Sequence, residues 1–173
     1  MNYPTSHRAM RKFTPILLLA LLCLTGCKGN TTFRSAVPTY PIHLEINTRV
    51  GMYVNFVPDN ISTYLIADPD GIHLNGVTQP LSVQDAYGYA GTVVYIDGFN
   101  PYGAYDLCCP NCLLRDMPCS IDGIFAVCPT CGEQYDIYSG NGVPTRGIAI
   151  EPLKQYRTTY NAGTGKLFVG PKQ

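Results

Sequence analysis

The stretch CPTCGEQYDIYSG, residues 128–140, decides how the rest of this chain is read. A Cys-Pro-x-Cys-Gly turn brings two sulfurs to one side of a tight loop, with backbone N–H groups directed at them. The residues after it read as strand and turn, not as the start of a helix. A second pair, Cys109-Pro-Asn-Cys112, stands upstream, and fifteen residues separate the two pairs. The pattern C-x2-C-x15-C-x2-C is the spacing of a tetrahedral four-thiolate site, in which two facing loops close an S4 cage. Cys109, Cys112, Cys128 and Cys131 are therefore the expected metal ligands. A closed cage has no open coordination position, so no catalysis is expected from it.

The cysteines permit other readings. Of the eight in the chain, Cys23 and Cys27 lie near the start and six fall at positions 108, 109, 112, 119, 128 and 131. In an oxidising compartment six cysteines could form three disulfides. CPNC and CPTC also match a redox-active dithiol, but that chemistry uses a helix N-terminus to acidify the thiol. GEQYDIYSG supplies none. Cys108 and Cys119 lie outside the metal spacing; they could pair, sit as small buried apolar groups, or, for Cys108, compete as a ligand.

Working outward, the flanks are strands and turns. TVVYIDG (92–98) is the clearest strand and ends on an Asp-Gly turn. IDGIFAVCP (121–129) reads as one strand entering the second cysteine pair. In PIHLEINTRV (41–50), Ile42, Leu44 and Ile46 alternate with polar neighbours as in a half-buried strand. GMYVNF (51–56) and STYLIA (62–67) read as short strands, parted by VPDN and followed by DPDG. PLSVQDAYG (80–88) is one helical turn or a loop. EPLKQYRTTYNAGTGKLFVG (151–170) reads as a closing hairpin, QYRTTY and KLFVG around Asn-Ala-Gly-Thr-Gly. No ten-residue stretch carries a 3.6-residue apolar period, so the domain is expected to be all-β and antiparallel.

The N-terminus is an address rather than structure. Residues 1–26 have a basic start (Arg8, Arg11, Lys12) and then the apolar run FTPILLLALLCL, the order of a bacterial export signal and too short to span a membrane. Leu24-Thr25-Gly26-Cys27 resembles a lipoprotein lipobox, which implies a Cys27 that is acylated and becomes the new N-terminus. Such a protein is anchored to the membrane by lipid and does not cross it. Lys28 in place of aspartate implies sorting to the outer membrane. No twin-arginine pair precedes the apolar run, so export is expected in the unfolded state, with any metal acquired outside.

Residues 27–39 are then lipidated cysteine and tether, and residues 40–173 one domain with metal loops between 105 and 140. Three of the twelve basic residues leave with the leader, so nine remain against twelve acidic ones. That balance argues against nucleic acid as a partner. There is no Ser-His-Asp set, paired-carboxylate box or phosphate loop to suggest a hydrolase. His43 and His73, far upstream of the cysteines, read as strand or turn residues.

Taken together, GYAGTVVYIDGFNPYGAYDLCCPNC (88–112), IFAVCPTCGEQYDIYSGNGVPTRG (124–147) and PLKQYRT (152–158) resemble the Rieske-type [2Fe–2S] domain, in particular Rieske-like lipoproteins of the Bacteroidetes type. The likeness covers roughly residues 90–169. It runs as strand, Ala-x-Asp turn, first ligand box, strand, second box, aromatic-Asp, glycine-containing hairpin, and Leu-x-x-Tyr. It implies a β-sandwich or barrel carrying a zinc-ribbon-like (rubredoxin-like) metal subdomain.

The departure is at the ligands. A Rieske site takes two cysteines on one iron and two histidines on the other, and the histidines raise its potential. Cys109 and Cys128 match the family's cysteines, but the histidine positions hold Asn111, beside Cys112, and Cys131. The family's electron-transfer role is thus not implied, whereas the fold and cage are. Four thiolates suit Zn²⁺ or a single iron. A [2Fe–2S] cluster with Cys109 and Cys128 on one iron and Cys112 and Cys131 on the other is the alternative.

The leading expectation is a non-enzymatic, lipid-anchored protein of the bacterial envelope, closed by structural zinc and serving an envelope partner. An iron–sulfur electron carrier is the second reading. A glycan- or protein-binding lipoprotein is the third, given Tyr102, Tyr105, Tyr135 and Tyr138 around the metal loops. Aromatics so placed more often pack in a core.

Overall fold

The computed structural model describes residues 35–96, 101–139 and 141–172. The leader, Cys27, residues 28–34 of the tether and the Asp97-Gly98 turn lie outside the described residues.

The described residues form three antiparallel sheets, as the strand-and-turn pattern predicts. One has the order β12 (Arg157–Asn161), β13 (Lys166–Gly170), β1 (Ile42–Asn47), β5 (Ala86–Tyr87). The second runs β4 (Val77–Gln79), β3 (Gly71–Leu74), β2 (Tyr64–Asp68), β6 (Thr92–Tyr95), β7 (Gly103–Asp106). The third, smaller sheet runs β11 (Val143–Arg146), β10 (Gln134–Asp136), β9 (Phe125–Val127), β8 (Ser120–Asp122).

Burial follows from the two-residue period of a strand. In β1, Ile42, Leu44 and Ile46 point inward and their neighbours outward. In β6 all four residues are buried, because both of its faces are covered. Val94 faces a core with Leu44, Ile46, Leu65, Leu167 and Val169. Val93 and Tyr95 face a second core with Tyr105, Tyr135, Ile137 and Leu153. The neighbouring β7 divides the same way, Ala104 to the first core and Tyr105 to the second. The β6–β7 ladder is thus the wall shared by the large sheets and the small one. Val93 and Val94, both fully buried in it, each contribute about 1.5–3 kcal/mol.

Three local expectations are corrected. GMYVNF is a 3-10 helix, Gly51–Asn55, rather than a strand. Gly51 adopts φ 57°, which turns the chain out of β1 and leaves the run without a strand partner. IDGIFAVCP is a hairpin and not a single strand: Asp122 pairs with Phe125, and Gly123 at φ 58° makes the turn. The Asp-Gly dipeptide was the signal, masked by the β-branched residues around it. Of the two readings open for PLSVQDAYG, the loop is the one formed, closed by reciprocal Ser82–Asp85 bonds and leading into the short β5. The Ala104-x-Asp106 segment, expected as a turn, is strand β7. The closing hairpin forms as predicted, paired from Arg157↔Gly170 to Asn161↔Lys166, with Gly165 in the left-handed region at its turn.

Candidate metal centre

The small sheet carries two loops. Cys109 and Cys112 lie between β7 and β8, and Cys128 and Cys131 between β9 and β10. The base of the first loop is tied by the Cys119 N–H donating to the Leu107 carbonyl at 2.8 Å. The second is tied by the Cys128 N–H to the Glu133 carbonyl at 2.9 Å. Within each loop the chain doubles back in the same way. The Leu113 N–H donates to the Cys109 carbonyl at 2.9 Å, and the Gly132 N–H to the Cys128 carbonyl at 3.0 Å.

The residue after the second cysteine of each pair has the same left-handed backbone, Leu113 at φ 56° and Gly132 at φ 72°. The glycine was visible in the sequence; the equivalent strain at a leucine was not. A left-handed non-glycine residue costs roughly 1–2 kcal/mol. Leu113→Gly is therefore expected to stabilise the domain by about 0.5–1 kcal/mol, after allowing for the looser unfolded chain. Gly132→Ala is expected to destabilise it by about 1–2 kcal/mol through the backbone alone, since a Cβ at Gly132 meets nothing within 4 Å. Denaturation midpoints of the two variants check both signs.

All four predicted ligands converge. Their sulfurs lie within 4.8 Å of one another. Cys109 Sγ is 3.7 Å from Cys131 Sγ, and Cys128 Sγ is 3.8 Å from Cys112 Sγ. The cage is graded in exposure: Cys109 and Cys128 are buried, Cys112 is half-buried and Cys131 is exposed. All six cysteines in the described residues are free thiols. Cys119 is buried in the second core, and Cys108 packs with Val37 and Ala90. Burial pushes the Cys108 thiol up to about 12, with Asp106 adding to the rise. It raises Cys119 as well; both lie outside the four-sulfur cluster and are buried apolar fillers.

The electrostatics differ from thiol to thiol. Burial would raise the Cys131 thiol, but the Glu133 N–H, with Cys112, Cys128 and Asn111, draws it down to about 7. Burial raises Cys109, against the Tyr135 hydroxyl and the Cys112 and Asn111 N–H groups, which favour its thiolate. Cys112 is raised, by burial first and then by hydrogen bonds to Cys131 and Cys128. Amide N–H groups directed at sulfur are the outer support expected of a thiolate cage.

Two supporting residues were not assigned a role at the metal by sequence reasoning. Tyr135, fully buried on β10, places its hydroxyl 3.3 Å from Cys109 Sγ, in position to donate to a thiolate there. Burial and that bond both raise its pKa. Tyr135→Phe keeps the packing and removes the donor, so it is expected to lower metal affinity about 10- to 100-fold while leaving the fold intact. Competition with a chromophoric chelator measures this. Glu133, 2% exposed, accepts the Ile148 N–H at 2.6 Å and so holds the loop after β11 against the second pair. The loop comes this close because residue 147 is glycine; a Cβ there would collide with the Glu133 carboxylate.

Neither upstream histidine belongs to this cage. His73 is held by Asp68 and Thr78, each at 2.9 Å, and His43 lines a separate polar cavity of about 280 Å³. Tyr102, Tyr105 and Tyr135 are core residues and do not form a surface platform. Tyr138 is half-buried and meets the Tyr95 ring edge-on at 6.2 Å.

No family model matches the chain, and no curated protein matches it. Among solved structures it is similar to a chain in the complex of reduced oxygenase and oxidized ferredoxin in carbazole 1,9a-dioxygenase, at 17% identity and a TM-score of 0.43. That alignment covers 76% of this chain and 96% of the other. It is also similar to the ferredoxin of carbazole 1,9a-dioxygenase from Nocardioides aromaticivorans IC177, at 15% identity and a TM-score of 0.40, covering 76% and 98%. Likeness at this level transfers no cofactor or partner to this chain.

Proposed function

We propose that this chain is a non-enzymatic, lipid-anchored protein of the bacterial outer membrane, a Rieske-like domain whose histidine ligands are replaced and whose four-cysteine cage holds one structural zinc ion. The observation that carries the metal assignment is the spacing of the sulfurs. A tetrahedral site with metal–sulfur bonds near 2.3 Å has sulfur–sulfur edges of roughly 3.8 Å; the two close contacts here are 3.7 and 3.8 Å. A two-iron cluster with Cys109 and Cys128 on one iron would separate Cys109 from Cys131 and Cys128 from Cys112. Those are the pairs in contact. The other pairing, one close pair on each iron, would still hold the two pairs apart across the cluster, whereas all four sulfurs lie within 4.8 Å of one another, so a single ion is the better fit.

Zinc is favoured over iron because it needs no assembly machinery and no control of redox state after export as an unfolded chain. Bound by Cys109, Cys112, Cys128 and Cys131, it supplies a crosslink between two loops and no open coordination position. The anchor reading rests on the basic-apolar leader and the Leu-Thr-Gly-Cys27 box. The sequence carries no hydrolase constellation, so the protein's role lies in what the domain meets in the envelope.

Metal content and an optical spectrum of the native lipoprotein, purified without chelator, test the assignment. About one zinc per chain with no visible absorption supports it. Two irons with labile sulfide and visible bands would make the protein an electron carrier instead.

A further inference from the structure

The segment entering the domain from the tether is fastened beside the metal loops. Glu151 accepts the Ala36 N–H at 2.7 Å, and Lys154 Nζ donates to the Val37 and Pro38 carbonyls at 3.2 and 2.7 Å. Val37 is buried against Cys108, the neighbour of ligand Cys109. On the first cysteine loop, the Arg115 guanidinium lies 4.5 Å over the Tyr40 ring and donates to the Tyr40 hydroxyl at 3.2 Å. The metal end of the domain is therefore the end from which the tether leaves.

Five exposed large apolar side chains lie on the two loops at that end. Leu113, Leu114 and Met117 flank Arg115 on the first loop and are 40, 44 and 46% exposed. Ile148 and Ile150, each 85% exposed, sit on the loop held by Glu133, and Ile150 adjoins Glu151, which binds Ala36. From Cys27 to Ser35 there are eight residue steps, at most about 28 Å even when fully extended. A domain of this size has a radius of gyration of about 14 Å, hence a diameter above that reach. With Cys27 in the bilayer, this face cannot turn far from the lipid.

We propose that the metal end docks on the membrane surface, with Leu113, Leu114, Met117, Ile148 and Ile150 entering the interfacial layer. The inference rests on the lipid-anchor reading above. It is of the kind expected when a single lipid anchor is joined by a second membrane contact. A bilayer fits better than a protein pocket because the apolar groups lie on two loops to either side of the tether's entry. The anchor delivers that same face to lipid.

The chain contains no tryptophan, so Leu114→Trp provides a single reporter, with Val54→Trp, in the 3-10 helix beyond the far end of β1, as the control. Full-length acylated protein is reconstituted into phosphatidylethanolamine–phosphatidylglycerol vesicles with and without brominated acyl chains. Both variants are expected to float with the vesicles. The Leu114→Trp protein should show blue-shifted emission quenched by bromine, and the Val54→Trp protein unquenched emission. Flotation of the Leu114→Trp protein without quenching overturns the docking and leaves the anchor intact, as when the patch meets a protein instead. Failure to float, with the same behaviour in Cys27→Ser, overturns the anchor reading and the docking together.

Discussion

Cys128→Ser is expected to abolish metal binding and unfold the β8–β11 sheet. Cys128 is 1% exposed and its sulfur touches that of Cys112. The three strands nearest the loops, β8, β9 and β10, are three residues long each. An isolated sheet of such strands is marginal in water. A structural four-thiolate zinc contributes about 10–16 kcal/mol in apparent terms, comparable with or above the total stability of an ordinary domain, about 5–15 kcal/mol. Removing one ligand therefore removes more free energy than the small sheet supplies by itself.

Chelation should act like the substitution, and more steeply as pH falls, because protons and metal compete for the same sulfurs. The large-sheet core, whose members include Leu44, Leu65, Val94 and Leu167, is separate from the metal core. Hydrogen exchange is thus expected to show loss of protection first in residues 120–136 and later in β1, β2 and β13. Retention of protection in the small sheet after complete metal removal would refute a structural role for the ion.

Asp106→Ala is expected to destabilise the domain by about 4 kcal/mol or more, at the severe end for a single substitution. Asp106 is fully buried at the end of β7, three residues before the first ligand. Its carboxylate accepts the Tyr89 N–H at 2.6 Å, the Ala90 N–H at 3.2 Å, the Cys108 N–H at 2.8 Å and the Tyr156 hydroxyl at 2.5 Å. These donors come from three separated parts of the chain. Alanine would strand them, at about 1–3 kcal/mol for each buried group left unpaired.

Burial and Asp106 together raise the Tyr156 pKa, so the phenol stays protonated and donating. Tyr156→Phe leaves one acceptor site of a still well-bonded carboxylate unused and should cost only about 1–1.5 kcal/mol. The contrast between the two variants, read from urea midpoints, separates the carboxylate's role as a hub from simple packing. Equal effects would contradict it.

Asp106 also shows how far the sequence could be read. Its position before the first cysteine pair was visible, but a buried carboxylate is satisfied by donors at positions 89, 90, 108 and 156, and no local pattern names them. The same is true of Tyr135, whose hydroxyl meets a sulfur 26 positions away. Local chemistry and spacing suffice for the alternation in β1, the closing hairpin around Gly165 and the convergence of the four cysteines. Where a run had β-branched and aromatic residues but no partner, as in GMYVNF, strand propensity misled, because a strand is stabilised by the neighbour it pairs with.

The sequence by itself determined the all-β character and the four sulfurs, because each is written in residue type and spacing over short distances. Only the tertiary structure decided that β6 and β7 divide two cores, that Cys108 and Cys119 are buried fillers outside the cage, and that residues 36–40 are pinned beside the metal loops. Those facts depend on which surfaces meet across long separations in sequence. Packing chooses among such meetings, and hydrogen bonds to buried groups then lock the choice.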